Sequence, residues 1–274
     1  MSTITISRQL GSLGTEIARE VAEKLNYEYV DKERIGKMLA TDFGLGAPDL
    51  EKFDEKKPPF WDFLSVQRRT YLHSITAAIY DFARRGQMVI VGRGGQVLLR
   101  NVPGTLHVRI FSSFAFRVKR LVESERVEEK NAVRMLRQSD RDSAAYMHSF
   151  FNADWNDATL YDLLINTEKL SPTTAVQMII DSLQSREIQE GVEKGKENLA
   201  ELALVQKAEA KLMALLGSDP RYVEVRAEKG VVFLSGTVTS PEIKKEYGRI
   251  VAALEGVKRV ENQLLIAGYY RWES

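Results

Sequence analysis

Five residues near the start, Thr3-Ile4-Thr5-Ile6-Ser7, form a β-branched run, and two glycines, Gly11 and Gly14, follow at once. A helical pattern then begins, with Ile17, Val21 and Leu25 at i, i+4 and i+8. The chain therefore opens strand, glycine turn, helix. That order points backbone N–H groups, and the positive end of a helix dipole, at whatever lies above the helix. Phosphates bind in such places.

The alternation continues. A short strand is expected at Tyr27–Val30, and residues 32–57 read as a helix running into a loop marked by Gly44, Gly46 and Pro48. Residues 60–85 read as a long amphipathic helix ending at Gly86. Met88–Val91 is a continuous apolar run, as in a strand buried on both faces. Further strands are expected at Leu106–Ile110 and Leu163–Ile165, and Ser171-Pro172 opens a helix with a cap followed by proline at the first helical position. Strands alternating with helices predict an α/β fold with a mainly parallel sheet and helices on both faces.

The 274 residues suit two domains. Residues 1–185 carry the alternating pattern. After Ser185 the sequence SREIQEGVEKGKENLA alternates in charge and shows no large apolar face, so 186–200 reads as a charged linker or a solvated helix. A second pattern occupies 201–268. It comprises a helix to Leu216, strands at Tyr222–Arg226 and after Gly230, a helix from Ser240-Pro241, and a strand over Val260–Ile266. This α-β-β-α-β unit of about 70 residues is large enough for a small core.

Bulk properties exclude several classes. The net charge of +1 gives no overall field favouring nucleic acid or an acidic membrane. There are no cysteines, hence no disulfides and no thiolate metal sites. The N-terminus lacks a secretory pattern and no apolar run approaches the ~18 residues of a spanning helix, so a cytoplasmic location is expected. His73, His107 and His148 show no metal-ligand spacing, and His107, alternating with Leu106 and Val108, reads as structural.

The candidate phosphate loop, Ser7-Arg8-Gln9-Leu10-Gly11-Ser12-Leu13-Gly14-Thr15-Glu16, has no lysine before a hydroxyl residue and so is not a Walker A motif. Yet SRQLGSLGTEIAREVAEKL, YVDKERI, VIVGRGGQVLL, HVRIFSS, RQSDRD and LLINTEKLSPTTAVQMI occur in an order and spacing that resemble the cytidylate kinase-like family, of the P-loop nucleoside monophosphate kinase type. The resemblance covers roughly residues 1–184. It implies a three-layer P-loop kinase fold that transfers phosphate from ATP, with Mg²⁺, to a nucleoside monophosphate, CMP or dCMP. Gly14 falls where the Walker lysine would sit, and Glu16 near the magnesium-binding hydroxyl. Arg8 is then the candidate replacement cation. Ser7, Gly11, Ser12, Gly14 and Thr15 would hold phosphates, with Thr15 or Ser12 offering a hydroxyl to Mg²⁺.

On the acceptor side, Asp31 ends the second strand, where open α/β sheets place ligand groups, and equally suits an N-cap. Arg93, within Gly92-Arg93-Gly94-Gly95 after a buried strand, resembles the family's acceptor-phosphate arginine. Arg68 and Arg69 are weaker candidates that a solvated face explains almost as well. Lys130, Arg134, Arg137 and Arg141 form one helical stripe resembling the family's lid, with Arg137 and Arg141 the candidate catalytic pair. Glu128 and Glu129 keep a surface ion-pair face open, and Ser143-Ala144-Ala145 stands where the family's lid carries a further arginine. Arg117 and Arg120 read more readily as structural than as the base of the lid.

Gly230–Val238, the helix after it, and Gly256–Leu264 resemble a BON domain. That resemblance implies a protein or phospholipid partner, or a tether or dimerisation module making a homo-oligomer. Two readings compete: a kinase regulated or localised by this module, and a nucleotide sensor that binds without transfer.

Overall fold

The computed structural model describes residues 2–46, 66–216 and 223–267. The loop expected over 47–57, the start of the helix expected from 60, and Tyr222 lie outside these residues.

The first domain is a five-stranded, all-parallel sheet between two layers of helices. Its strands are β1 (Thr3–Arg8), β2 (Glu28–Val30), β3 (Met88–Val91), β4 (Thr105–Phe111) and β5 (Leu163–Asn166), ordered β2-β3-β1-β4-β5. Alternate residues of β3 enter opposite cores. Met88 and Ile90 pack with Ile35, Leu39, Tyr71 and Ile75, while Val89 and Val91 pack with Ile4, Ile6, Ile17 and Val21. This is what a continuous apolar strand requires when both faces are covered.

Helix α1 (Gly14–Leu25) and helix α7 (Pro172–Leu183) cover one face. On the other lie α2 (Lys32–Phe43), α3 (Val66–Arg85) and α6 (Glu129–Phe151). Short α4 (Gly95–Leu98) follows β3, and α5 (Phe114–Glu125) follows β4. The expected caps form: Ser171 Oγ accepts from the Thr174 amide at 3.1 Å, and Asp31 Oδ1 from the Arg34 amide at 3.0 Å.

Residues 186–200 are the place where expectation and structure diverge. They form the first half of one 31-residue helix, α8 (Arg186–Leu216), which docks on α3 through His73–Gln206 and Lys207–Asp81. Glycines make the docking possible. A Cβ on Gly195 would lie 2.0 Å from the Pro103 carbonyl oxygen, and one on Gly191 would lie 2.6 Å from the Gly104 nitrogen. The helix therefore touches the Pro103–Gly104 backbone directly, with Val192 against Gly104. Leu199 and Ala203 then join the core of the first domain. The charged stretch is helical, as one of its two readings had it, but it is not solvated all round.

The second half of α8 supplies Ala208 and Leu212 to a separate core. There β6 (Val223–Glu228) runs antiparallel to β7 (Val231–Val238), while β8 (Arg259–Asn262) and β9 (Leu265–Ile266) run parallel to β7. Helix α9 (Pro241–Ala252), capped by Ser240, closes the unit with Tyr247, Ile250 and Val251. A single helix thus contributes to two cores.

Candidate active site

The loop after β1 is built on buried hydrogen bonds. Gln9 N–H donates to the Ile110 carbonyl at 3.1 Å, and Ser12 N–H to the Gln9 carbonyl at 3.2 Å. Ser12 is fully buried, and its hydroxyl donates to the carbonyls of Gln9 and Ile110 at 2.7 and 3.2 Å. Leu13 then adopts a left-handed conformation (φ 62°) and α1 begins at Gly14. The first-turn N–H groups of α1 have no intrahelical acceptors, and Gly14, Thr15 and Glu16 line a cavity.

Gly14 explains the missing lysine. A Cβ there would lie 2.3 Å from Arg8 Cβ and 2.9 Å from Arg8 Cγ. The stem of Arg8 therefore occupies the room that a side chain at position 14 would need. The cation at this loop comes from the end of β1 instead of the start of α1.

Two cavities meet at Arg8, Leu10, Thr15, Arg19 and Ser139. The larger, about 710 Å³, also takes in Tyr29, Asp31, Lys32, Glu33, Val91, Arg93 and the α6 residues Arg134, Met135, Gln138 and Asp142. The smaller, about 300 Å³, follows the loop from Gln9 to Glu16 and is bounded by Arg120 and Glu125. Arg8, Asp31 and Arg93 meet because β1, β2 and β3 are parallel neighbours that end on one edge. Asp31 caps α2, as one of its two readings had it, and also lines the larger cavity.

Arg93 is held under constraint. It is 6% exposed, with φ 57° between two left-handed glycines, and its guanidinium lies 5.6 Å from the Tyr146 ring centroid. A large residue in this backbone region is uncommon, and such constraint concentrates at functional sites. Gly94 is obligatory, since a Cβ would meet the Phe151 ring at 2.2 Å.

Several expected residues are elsewhere. Ser7 is buried, and its hydroxyl accepts from the Trp155 indole at 2.9 Å. Neither Ser7 nor Ser12 lines the two cavities. Both support the loop from behind, leaving Thr15 as the expected hydroxyl that faces the space. Arg137 and Arg141 are exposed and line neither cavity. Arg137 lies over the Phe114 ring, and Arg141 donates to Gln138 Oε1 at 2.8 Å. Arg134, one turn earlier, is the arginine of that stripe that faces the larger cavity.

Asp140 of α6 binds Arg117 through both oxygens at 3.0 and 2.8 Å, on a helix whose Leu136, Tyr146, Met147 and Phe150 are buried. Arg117 in turn donates to the Leu10 carbonyl at 3.4 Å, and its Cβ packs under Gly11. Arg68 is likewise structural, donating to the Ser149 hydroxyl at 2.7 Å. His107 is buried against Thr5 at 2.8 Å, and burial lowers its pKa.

Sequence reasoning passed over Arg19 and Tyr29. Both were within reach of periodicity: Arg19 is one helical turn beyond Thr15, and Tyr29 is two strand residues before Asp31. Their side chains meet, with the Arg19 guanidinium 5.5 Å from the Tyr29 ring centroid. Arg109 was also missed. It is 4% exposed and binds Tyr161 Oη and Asn156 Oδ1 at 3.1 and 2.9 Å, bracing the segment that carries Trp155.

Among the described residues no group of three or more His, Asp or Glu side chains could hold a metal. Kinase magnesium needs no such cage, being bound by one or two protein groups together with phosphates and water. Thr15, which lines both cavities, fits that requirement. No helix among the described residues is long and apolar enough to cross a membrane.

The chain is similar in sequence and fold to known proteins. A cytidylate kinase of Pyrobaculum islandicum is 26% identical over 184 residues, covering 66% of this chain and 92% of its own. One of Pyrococcus horikoshii is 25% identical over 169 residues, covering 62% and 81%. The crystal structure of an uncharacterized protein from Eubacterium ventriosum superposes with a TM-score of 0.54 at 25% identity, covering 68% of this chain and all of that one. Residues 205–268 match the BON domain. The match that decides the matter spans residues 3–169, more than half of the chain, and by it the protein belongs to the cytidylate kinase-like family.

Proposed function

We propose that this protein transfers the γ-phosphoryl group of ATP to a nucleoside monophosphate, CMP or dCMP by likeness to its relatives. The observation that carries the proposal is Arg8 standing in the space beside Gly14, on the cavity it shares with Thr15, Asp31 and Arg93. An acceptor phosphate oxygen would form its bond to the γ-phosphorus as the bond to the β–γ bridging oxygen breaks, with ADP leaving. Such a transfer needs positioning and cations more than base catalysis.

In this reading Arg8 and the first-turn amides of α1 hold the donor phosphates. Arg93 holds the acceptor phosphate, and Arg134 faces the transferring group from α6. Arg137 and Arg141 would reach that group only after α6 shifts. Asp31 would stand beside the acceptor, and Thr15, together with the phosphates, would hold magnesium, which would supply charge neutralisation there. The C-terminal module would bind a protein or phospholipid partner, or a second copy of this chain, and so place or regulate the kinase. Its removal must cut after residue 216, because a cut at 186 would strip Leu199 and Ala203 from the first core.

A second reading, a sensor that binds nucleotide without transfer, is favoured by the absence of any side chain at position 14. Incubation with Mg-ATP and a panel of nucleoside monophosphates separates the two. Diphosphate formation that collapses in Arg8→Ala supports the kinase. Saturable ATP binding with no turnover on any acceptor supports the sensor.

A further inference from the structure

The C-terminal half of α8 does more than join two units. Lys211 Nζ donates to the Asp42 carbonyl at 2.5 Å, in the last turn of α2, and lies 5.7 Å from the Phe43 ring centroid. The final carbonyls of a helix have no intrahelical donors and carry the negative end of its dipole, so a cation is well placed there. At the opposite end of α2, Asp31 caps the helix, and Asp31, Lys32 and Glu33 line the larger cavity. Helix α2 has 12 residues, a strut of about 18 Å at 1.5 Å per residue. Its buried Ile35 and Leu39 pack in one core with Tyr71 and Ile75 of α3.

Helix α8 is itself anchored in the turn that precedes Lys211. Lys207 pairs with Asp81 of α3 at 3.1 Å, and Glu209 meets His73 of α3 at 2.9 Å. Lys211 thus ties the far end of α2 to a fixed support.

We propose that Lys211 is a positioning residue for the acceptor site, setting through α2 where Asp31 and Lys32 stand in the cavity. The inference rests on the reading of that cavity as the acceptor site. It makes the helix that enters the C-terminal module a determinant of acceptor binding, without any contact between that module and substrate.

The test compares the full-length wild type with Lys211→Met and Lys211→Arg, measuring kcat and KM for CMP and for ATP, with thermal unfolding alongside. The expected result is a rise in KM for CMP of about five-fold or more in Lys211→Met, with KM for ATP and kcat nearly unchanged. Lys211→Arg, which keeps the charge on α2, should retain most of the wild-type KM. Hydrogen exchange at the amides of 32–36 should quicken in Lys211→Met, at an unchanged unfolding temperature. Kinetics and exchange that match wild type overturn the inference and leave the kinase reading intact. So does a uniform loss of kcat, both KM values and stability, which marks a merely structural role. A wild type that turns over no acceptor overturns the kinase reading, and this inference with it.

Discussion

Replacing Gly195 by alanine separates a docked α8 from a solvated one by the sign of its effect. In a solvated helix interior, glycine to alanine stabilises by about 1 kcal/mol. For a chain of this length that would raise the unfolding temperature by about 2–4 °C. In the structure the new Cβ falls 2.0 Å from the Pro103 carbonyl oxygen and 3.0 Å from its carbon. These are backbone atoms and cannot rotate away. The helix must retreat by at least about 1 Å to reach even the 3.0 Å that Cβ atoms almost never cross. Gly191, one turn earlier on the same face, also lies close to backbone, an added Cβ there falling 2.6 Å from the Gly104 nitrogen, so the retreat opens both contacts. It also loosens Val192 and Leu199, which are 9% and 3% exposed. Overpacking costs roughly 1–3 kcal/mol, and partial loss of those two burials adds about 1 kcal/mol. After subtracting the propensity gain, the net loss is roughly 1–3 kcal/mol, a fall of about 2–12 °C. Differential scanning calorimetry on the full chain reads this directly. A rise of 2–4 °C in Gly195→Ala would refute the docking and restore the solvated helix.

The remaining expectations concern the site and the α3–α8 contact. Gly14→Lys, which restores a Walker-like lysine, should lower nucleotide affinity and turnover, because its Cβ displaces Arg8 by steric overlap at 2.3 Å; improved turnover would remove Arg8 from its assigned place. Arg134→Ala should cut kcat/KM by about 10²-fold or more, as for lost charge stabilisation at a phosphoryl group, while Arg137→Ala changes it less than about three-fold. The reverse order in steady-state kinetics would show that α6 turns before transfer. Burial alone would lower the His73 pKa, but the Glu209 carboxylate at 2.9 Å and Gln206 outweigh it and raise the net value. The stability contributed by His73 is therefore fully present below its ordinary value near 6.5 and is lost as pH rises through the higher folded value. Thermal unfolding between pH 6 and pH 9 should show this decline in wild type, and Glu209→Gln should flatten it.

Much of this protein was legible because its signals are local. The β-branched strand, glycine turn and helix at the N-terminus, the two-faced apolar run of β3, and the serine caps at 171 and 240 each follow from neighbouring residues. Arg8, Asp31 and Arg93 were legible for a related reason. Each stands at or just beyond the C-terminal end of a strand, and parallel strands bring those ends together. Helix α8 was hard to read because its apolar stripe is sparse: Val192, Leu199 and Ala203 are the buried apolar side chains of a heavily charged stretch. Gly191 and Gly195 complete the contact by lacking side chains, a signal that hydrophobic patterning does not carry.

The α6 arginines show a subtler limit. Lys130, Arg134, Arg137 and Arg141 share one stripe, and the stripe is real, but periodicity gives a helix its faces without saying what each face meets. The phase is set from outside, by the packing of Leu136, Tyr146, Met147 and Phe150 and by Asp140 meeting a buried Arg117 that also supports Leu10 and Gly11 of the phosphate loop. In that phase positions 134, 138 and 142 face the cavity and 137 and 141 do not. The ion pair thus links the orientation of α6 to the loop that would receive the donor phosphates. A residue pair separated by 23 positions carries information that neither helix contains alone.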